Sequence, residues 1–111
     1  MTQNTIDMAV FGELQDAAGA DFVGELIGTF LEEAPTMLAE LRVAQATANA
    51  DGFRRAAHSL KSNSNTFGAP RLGEMAREIE LGGLISDIVP VDALEAEYQK
   101  VAIALLELTH G

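Results

Sequence analysis

Apolar residues recur at intervals of three and four along almost the whole chain, the spacing that places them on one face of an α-helix. Alternating runs of apolar and polar residues bounded by hairpin turns, which are typical of β-strands, are absent from the sequence. No internal repeat or low-complexity tract interrupts the helical pattern. The sequence therefore predicts an all-α protein with five helices in one domain, residues 1–111.

The first predicted helix is short and runs from about Met8 to Ala18. Asp7 can cap its N-terminus, and Gly19 can end it. Its apolar positions, Met8, Phe11 and Leu14, lie three residues apart. Because that apolar face is so short, we expect this helix to cover one end of the protein rather than to form part of the main bundle.

The second predicted helix is long and extends from a cap at Asp21 to about Ala48. Its apolar residues form a continuous stripe at helical spacing, which predicts one buried face. The stripe comprises Phe22, Val23, Leu26, Ile27, Phe30, Leu31, Ala34, Leu38, Leu41 and Ala44.

Turn and cap residues divide the rest of the chain into three more helices. Asn49, Asp51 and Gly52 are typical of a turn and cap, and the helix they open is expected to end at Gly68. The fourth helix is predicted from Pro70 to Gly82 and Gly83, and the fifth from near Pro90 or Val91. Their inward residues are expected to be Leu72, Met75, Ala76 and Ile79, and then Leu94, Tyr98, Val101, Leu105 and Leu108. Short connections predict an antiparallel up-down-up-down four-helix bundle with a short additional N-terminal helix.

Composition excludes several kinds of site. The chain is 48% apolar but only 5% aromatic, with no Trp, so an aliphatic core is expected. It has no Cys, which excludes disulfides and cysteine nucleophiles, and two His offer no conventional zinc-ligand set. We therefore expect no bound metal or cofactor. The first residues lack the features of a signal peptide, and no apolar run approaches the ~20 residues that span a membrane. These features predict a cytoplasmic protein, and we expect a monomer.

Charge is distributed unevenly along the chain. Seven Lys and Arg against 17 Asp and Glu give a net charge of −10, which would repel nucleic acid and anionic lipid. We therefore expect neither nucleic-acid nor membrane partners. The stretch from Gly52 to Gly73 is the exception, because it carries four cations and no acid. Those cations are Arg54, Arg55, Lys61 and Arg71. A small anion-binding surface is predicted there.

The third helix places His58 on the side opposite its apolar residues. At 100° per residue, the expected core face comprises Phe53, Ala57, Leu60, Ser64 and Phe67. Arg54, Lys61, Ser62 and Asn65 all fall within about 60° of the histidine, and Arg55 lies at the edge of that arc. His58 is therefore predicted to face water among cations, with these polar residues as candidate phosphoryl or partner contacts.

An exposed imidazole in this setting allows few reactions. His58 has no acidic partner at helical spacing and no Ser or Cys nucleophile in a cleft, so a hydrolytic triad is unsupported. The chain has no GxxxxGK[ST] loop and no kinase signature, which excludes an ATP-dependent phosphoryl transfer by the chain itself. Two interpretations stay open from the residues alone. One is a nucleophile toward a phosphoryl group held by another protein, and the other is an ordinary solvated histidine.

The stretch from Ala57 to Ala69 resembles the signature of histidine-containing phosphotransfer (Hpt) domains, which is His-x-Leu-Lys-Gly followed by Gly ten residues after the His. The sequence there reads AHSLKSNSNTFGA. The resemblance extends to FLEEAP at 30–35 and to Leu72, Ala76 and Ile79-Glu80. It implies a four-helix bundle that carries a phosphoryl group between receiver-domain aspartates. It thus implies a phosphoryl carrier rather than an enzyme.

Residue by residue, the resemblance implies that His58 is phosphorylated and that Lys61 contacts the phosphoryl group. It also makes Gly68 the residue that ends the helix. Ser62 departs from the family pattern, which usually has Gly there so that a partner can approach. The implied partners are response-regulator receiver domains, which would supply Mg²⁺ in their own acidic pockets, and a hybrid sensor histidine kinase. Two alternatives remain, an adaptor that docks to a kinase or receiver without needing His58, and a plain structural helical domain.

Overall fold

The computed structural model describes residues 5–110, which contain five α-helices and no β-strand. The helices are α1 (Met8–Ala18), α2 (Ala20–Ala46), α3 (Ala50–Thr66), α4 (Pro70–Gly82) and α5 (Val89–His110). The all-α prediction is therefore confirmed. None of the described helices is long and apolar enough to cross a membrane.

Local capping sets the helix boundaries, and one predicted cap is wrong. The Asp7 carboxylate accepts hydrogen bonds from the Ala9 and Val10 backbone N–H groups, as expected of an N-cap. Asp21, however, lies inside the first turn of α2, because Gly19, with φ 90°, is both the C-cap of α1 and the N-cap of α2. There its carboxylate lies near the positive end of the helix dipole.

The C-terminal end of α2 and the start of α5 also differ slightly from the prediction. Helix α2 ends at Ala46 rather than Ala48, because Ala48 adopts φ 55°, which an α-helix cannot continue. Helix α5 begins at Val89, one residue before the predicted start. The Asp87 carboxylate accepts a hydrogen bond from the Val89 N–H at 3.0 Å and so satisfies a donor that the helix leaves unpaired.

The core is built from all five helices. Helix α3 packs against both α2 and α4, and α5 packs against α2 and α4. The fully buried large side chains are Phe11, Val23, Ile27, Phe30, Leu41, Phe53, Leu60, Leu72, Val91, Leu94, Val101 and Leu105. Phe22 was expected in the core but is 51% exposed, because it is rotated by 100° from its buried neighbour Val23. Leu108 is also exposed, since the buried line of α5 stops at Leu105.

Helices α3 and α4 form an antiparallel hairpin through Gly68 and Ala69. Near the turn, Gly73 packs so closely on Asn65 that a Cβ atom would collide with the Asn65 side-chain oxygen. Seven residues further from the turn on each helix, His58 meets Glu80. Moving one residue toward the N-terminus of α3 therefore corresponds to moving one residue toward the C-terminus of α4. This register decides which α4 residues reach the face of His58.

Gly68 is required where the N-terminal segment crosses the α3–α4 turn. Its φ is +75°, which costs a residue with a side chain about 1 to 3 kcal/mol. Its carbonyl oxygen accepts a hydrogen bond from the Asp7 N–H, and an added Cβ would lie 2.8 Å from the Asp7 carbonyl oxygen. We expect Gly68→Ala to lower the free energy of unfolding by about 2 to 4 kcal/mol in urea titrations.

Gly83 provides the matched control for this prediction. It has nearly the same φ, +76°, but nothing lies within 4 Å of the position that a Cβ would occupy. Gly83→Ala should therefore show a backbone cost without that collision, about 1 to 3 kcal/mol. Equal losses in the two variants would mean that the contact with the Asp7 segment does not restrict Gly68.

Candidate functional site

Helix α3 presents His58 to solvent because its apolar residues occupy the other side. Phe53, Ala57, Leu60 and Ser64 are buried, and the hydroxyl of Ser64 donates to the Leu60 carbonyl at 2.6 Å. The His58 side chain is 58% exposed. The orientation predicted from the helical wheel is therefore confirmed. The imidazole projects from the middle of α3.

Glu80 of α4 is the acidic partner that the sequence of α3 alone does not provide. One carboxylate oxygen, Oε2, lies 2.8 Å from Nδ1 of His58. The other, Oε1, lies 2.7 Å from Nζ of Lys61 and is shielded from solvent. Glu80 thus holds both residues of the Hpt-like motif at once. A carboxylate can only accept hydrogen bonds, so His58 donates through Nδ1 and its lone pair lies on Nε2.

The charge state of Glu80 supports this assignment of the imidazole proton. The Lys61 ammonium beside Oε1 lowers the pKa of the Glu80 carboxyl below its usual range, and the hydrogen bond from His58 lowers it further, while partial burial opposes both. Glu80 is therefore ionised at neutral pH. A lowered pKa means that its contacts persist as the pH falls and are lost only when the pH passes below that lowered value.

The cations of the basic stretch from Gly52 to Gly73 are bound to other residues of the protein. Arg54 forms an ion pair with Asp51 at 2.9 Å, and Arg55 donates weakly to the Asp51 carbonyl at 3.4 Å. Further along, Arg71 pairs with Glu97 of α5 at 3.4 Å. The acids come from just outside the basic stretch or from other helices, so Arg54, Lys61 and Arg71 each form an ion pair. Arg54 and Arg55 are directed toward Asp51 rather than held beside the imidazole.

Ser62 and Asn65 lie on the exposed side of α3 but differ in their surroundings. Ser62 is exposed, one turn beyond His58, and its backbone carbonyl accepts a hydrogen bond from the Thr66 hydroxyl at 3.0 Å. Asn65 packs against Gly73 of α4, about two turns from the histidine. Ser62 therefore lies one helical turn from His58, whereas Asn65 lies in the contact between α3 and α4.

Helix α1 supplies an exposed apolar side chain at one end of the molecule. Met8 is 53% exposed, whereas Phe11 is fully buried. The residue before this helix is hydrogen-bonded to Gly68 at the C-terminal end of α3. Helix α1 therefore lies at the end of α3 that carries Lys61 and Ser62 rather than at the end that carries Arg54.

Metal-binding clusters are absent from the part of the chain that the structure describes: no three His, Asp or Glu side chains there come together as ligands.

Comparisons with known proteins identify the family and the fold. A family model described as "Hpt domain" matches residues 25–104, well over half of the chain. The chain belongs to the Hpt domain family. The fold matches the crystal structure of histidine-containing phosphotransfer protein B from Pseudomonas aeruginosa PAO1, with a TM-score of 0.88 and 24% sequence identity over 98% of this chain and 97% of that one. A search of the curated proteins gave no match.

Within the Hpt domain, the resemblance alone did not reveal what Glu80 does. It drew attention to Ile79-Glu80 as part of the pattern but assigned the acid no role. The signal that could have found its role is the turn at Gly68 and Ala69. Counting 11 residues from Ala69 in each direction along the chain reaches His58 and Glu80.

Proposed function

We propose that the chain is a phosphorelay intermediate, which accepts a phosphoryl group on His58 from a receiver-domain aspartate and passes it to another receiver. One observation carries the proposal: an exposed imidazole has its Nδ1 held by an ionised carboxylate, which leaves the Nε2 lone pair for attack. Membership of the Hpt family supports the same role. The chain supplies no ATP site in this proposal, and Mg²⁺ belongs to the acidic pocket of the receiver.

The transfer step follows from the protonation state of His58. Nε2 attacks the phosphorus, a nitrogen–phosphorus bond forms, and the bond to the aspartyl oxygen breaks, so that the aspartate leaves as a carboxylate. No proton has to leave the ring, because Nδ1 keeps its hydrogen on Glu80. The phosphorylated ring therefore becomes positively charged, and the Glu80 carboxylate beside it stabilises that charge. Attack by a second aspartate on the same phosphorus reverses the step.

In this scheme Lys61 binds the phosphoryl group once it is on His58. Its ammonium group lies on the same face, three residues from His58, and is held by Oε1 of Glu80. It can turn from that oxygen toward the oxygens of a phosphoryl group on Nε2. Glu80 thus keeps the cation beside the imidazole before the phosphoryl group arrives.

The helix arrangement suits this role. We infer that α2 to α5 run alternately up and down. Antiparallel α3 and α4 follow from the His58–Glu80 and Asn65–Gly73 contacts, and Arg42 of α2 binds Glu95 of α5 across the bundle at 2.6 Å. Such a bundle holds the histidine on a stiff helix while leaving its face open to a partner.

The test is direct phosphate transfer to the purified chain. The chain is incubated with a phosphorylated receiver domain and Mg²⁺, and the protein-bound phosphate is then exposed to acid and to base. We expect acid-labile, base-stable phosphate on this chain, the behaviour of a phosphoramidate bond to histidine. Stoichiometric binding to the receiver with no phosphate transferred would instead support the adaptor alternative.

A further inference from the structure

Arg77 of α4 lies beside the histidine face, although the resemblance assigns it no role. The His58–Glu80 and Asn65–Gly73 contacts fix the register of α3 against α4. Arg77 comes three residues before Glu80, and Lys61 comes three residues after His58. The two cations therefore lie at the same level of the hairpin, about 4.5 Å along the helix axis from the level of the imidazole. Arg77 is exposed there.

Arg77 also differs from the other six Lys and Arg side chains, all of which lie in the part of the chain that the structure describes. Each of the remaining Lys and Arg side chains has a partner: Arg42 with Asp92 and Glu95, Arg54 and Arg55 with Asp51, Lys61 with Glu80, and Arg71 and Lys100 with Glu97. Arg77 makes no hydrogen bond or ion pair with any other residue between 5 and 108. Its guanidinium is therefore available for an incoming anion.

The charges at the site favour a further cation beside the phosphoryl group. Lys61 and Glu80 neutralise each other. A phosphoryl group on Nε2 adds negative charge to a site whose one nearby cation is already shared with a carboxylate. We propose that Arg77 is a second cation of the site, which binds oxygens of the phosphoryl group carried by His58; this inference rests on the proposed phosphorelay function.

The chemistry of the guanidinium group fits that task. Arginine presents several N–H donors in a planar fork, which matches two phosphoryl oxygens better than a lysine ammonium does. Arg77 approaches from α4, whereas Lys61 approaches from α3. The two cations would thus bind the phosphoryl group from both helices of the α3–α4 hairpin, with Glu80 lying beneath it.

The experiment compares four proteins: the wild type, Arg77→Ala, Arg77→Lys and Arg71→Ala. Arg71 is the matched control, because it is an exposed arginine of the same helix whose side chain is bound to Glu97 instead. Each protein is phosphorylated by two donors, a phosphorylated receiver domain and phosphoramidate, a small donor that needs no docking surface. The rate of phosphohistidine formation is measured with each donor, and circular dichroism verifies the helical content.

We expect Arg77→Ala to be about tenfold slower with both donors, Arg77→Lys to recover part of that rate, and Arg71→Ala to stay within about twofold of the wild type. Equal rates for the two alanine variants would overturn the inference. A loss with the receiver but not with phosphoramidate would overturn it as well, because it would place Arg77 against the partner instead of the phosphoryl group. A wild type that accepts phosphate from neither donor would reject the proposed function itself.

Discussion

His58→Gln abolishes phosphate acceptance and leaves the fold intact: this is the largest effect that we expect. Glutamine has no nucleophilic ring nitrogen, but its amide N–H can still donate to the Glu80 carboxylate. Because the side chain at this position is 58% exposed, the free energy of unfolding should change by no more than about 0.5 kcal/mol. Phosphate incorporation from a phosphorylated receiver and a urea titration measure the two quantities.

The matched control for this variant is His110→Gln, which removes the only other histidine in the sequence. We expect that variant to accept phosphate at the wild-type rate. Incorporation that survives in His58→Gln would mean that another residue is the acceptor. Unfolding of His58→Gln would mean that His58 supports the core, contrary to its exposed position.

The second largest effect is expected for Lys61→Ala. The ammonium group of Lys61 lies 2.7 Å from Glu80 and within one turn of the imidazole, so its loss removes a cation from the oxygens of the transferring group. It also leaves the negative charge of Glu80 uncompensated beside that group. We expect transfer to slow by about 10- to 100-fold, which corresponds to about 1.4 to 2.7 kcal/mol of activation free energy. Lys61→Arg should lose less.

A double variant separates the two contributions of Lys61. In Lys61→Ala with Glu80→Gln, the uncompensated carboxylate is gone while the amide still contacts Nδ1. Because the carboxylate also stabilises the positive charge of the phosphorylated ring, we expect this protein to transfer more slowly than Lys61→Ala alone. A faster rate would mean that repulsion between Glu80 and the phosphoryl oxygens is the larger effect. Transfer rates with one receiver at fixed salt decide the matter. Rates in Lys61→Ala equal to the wild type would show that the lysine is merely a solvated surface residue.

Helical periodicity predicted the fold well because each helix has an apolar face and clear end signals. Asp7, Asn49 and Pro70 were expected at the starts of α1, α3 and α4, and the structure places them there. The errors arise where local pattern is insufficient. Phe22 has the right residue type for the core but the wrong phase, and Asp21 could cap a helix only if the chain left a linker after Gly19.

The sequence predicts the exposure of His58, but it does not predict which side chains surround that histidine. The exposure of His58 depends on the phase of one helix, which the sequence determines. The contacts of Glu80, by contrast, depend on how α3 and α4 slide past each other, a property of two helices and the turn between them. The same reason explains the pairing of Arg71 with Glu97, which lies on a third helix. A local count of charges cannot detect such neutralisation.

The single exposed imidazole on α3 has a kinetic consequence for the proposed relay. Donor and acceptor must both bring their aspartate to the same Nε2, so the two partners cannot be bound productively at once. Transfer then follows a ping-pong order, in which the first receiver departs before the second one enters. An excess of unphosphorylated receiver becomes a competitive inhibitor of loading, and the relative abundance of the receivers determines where the phosphate goes.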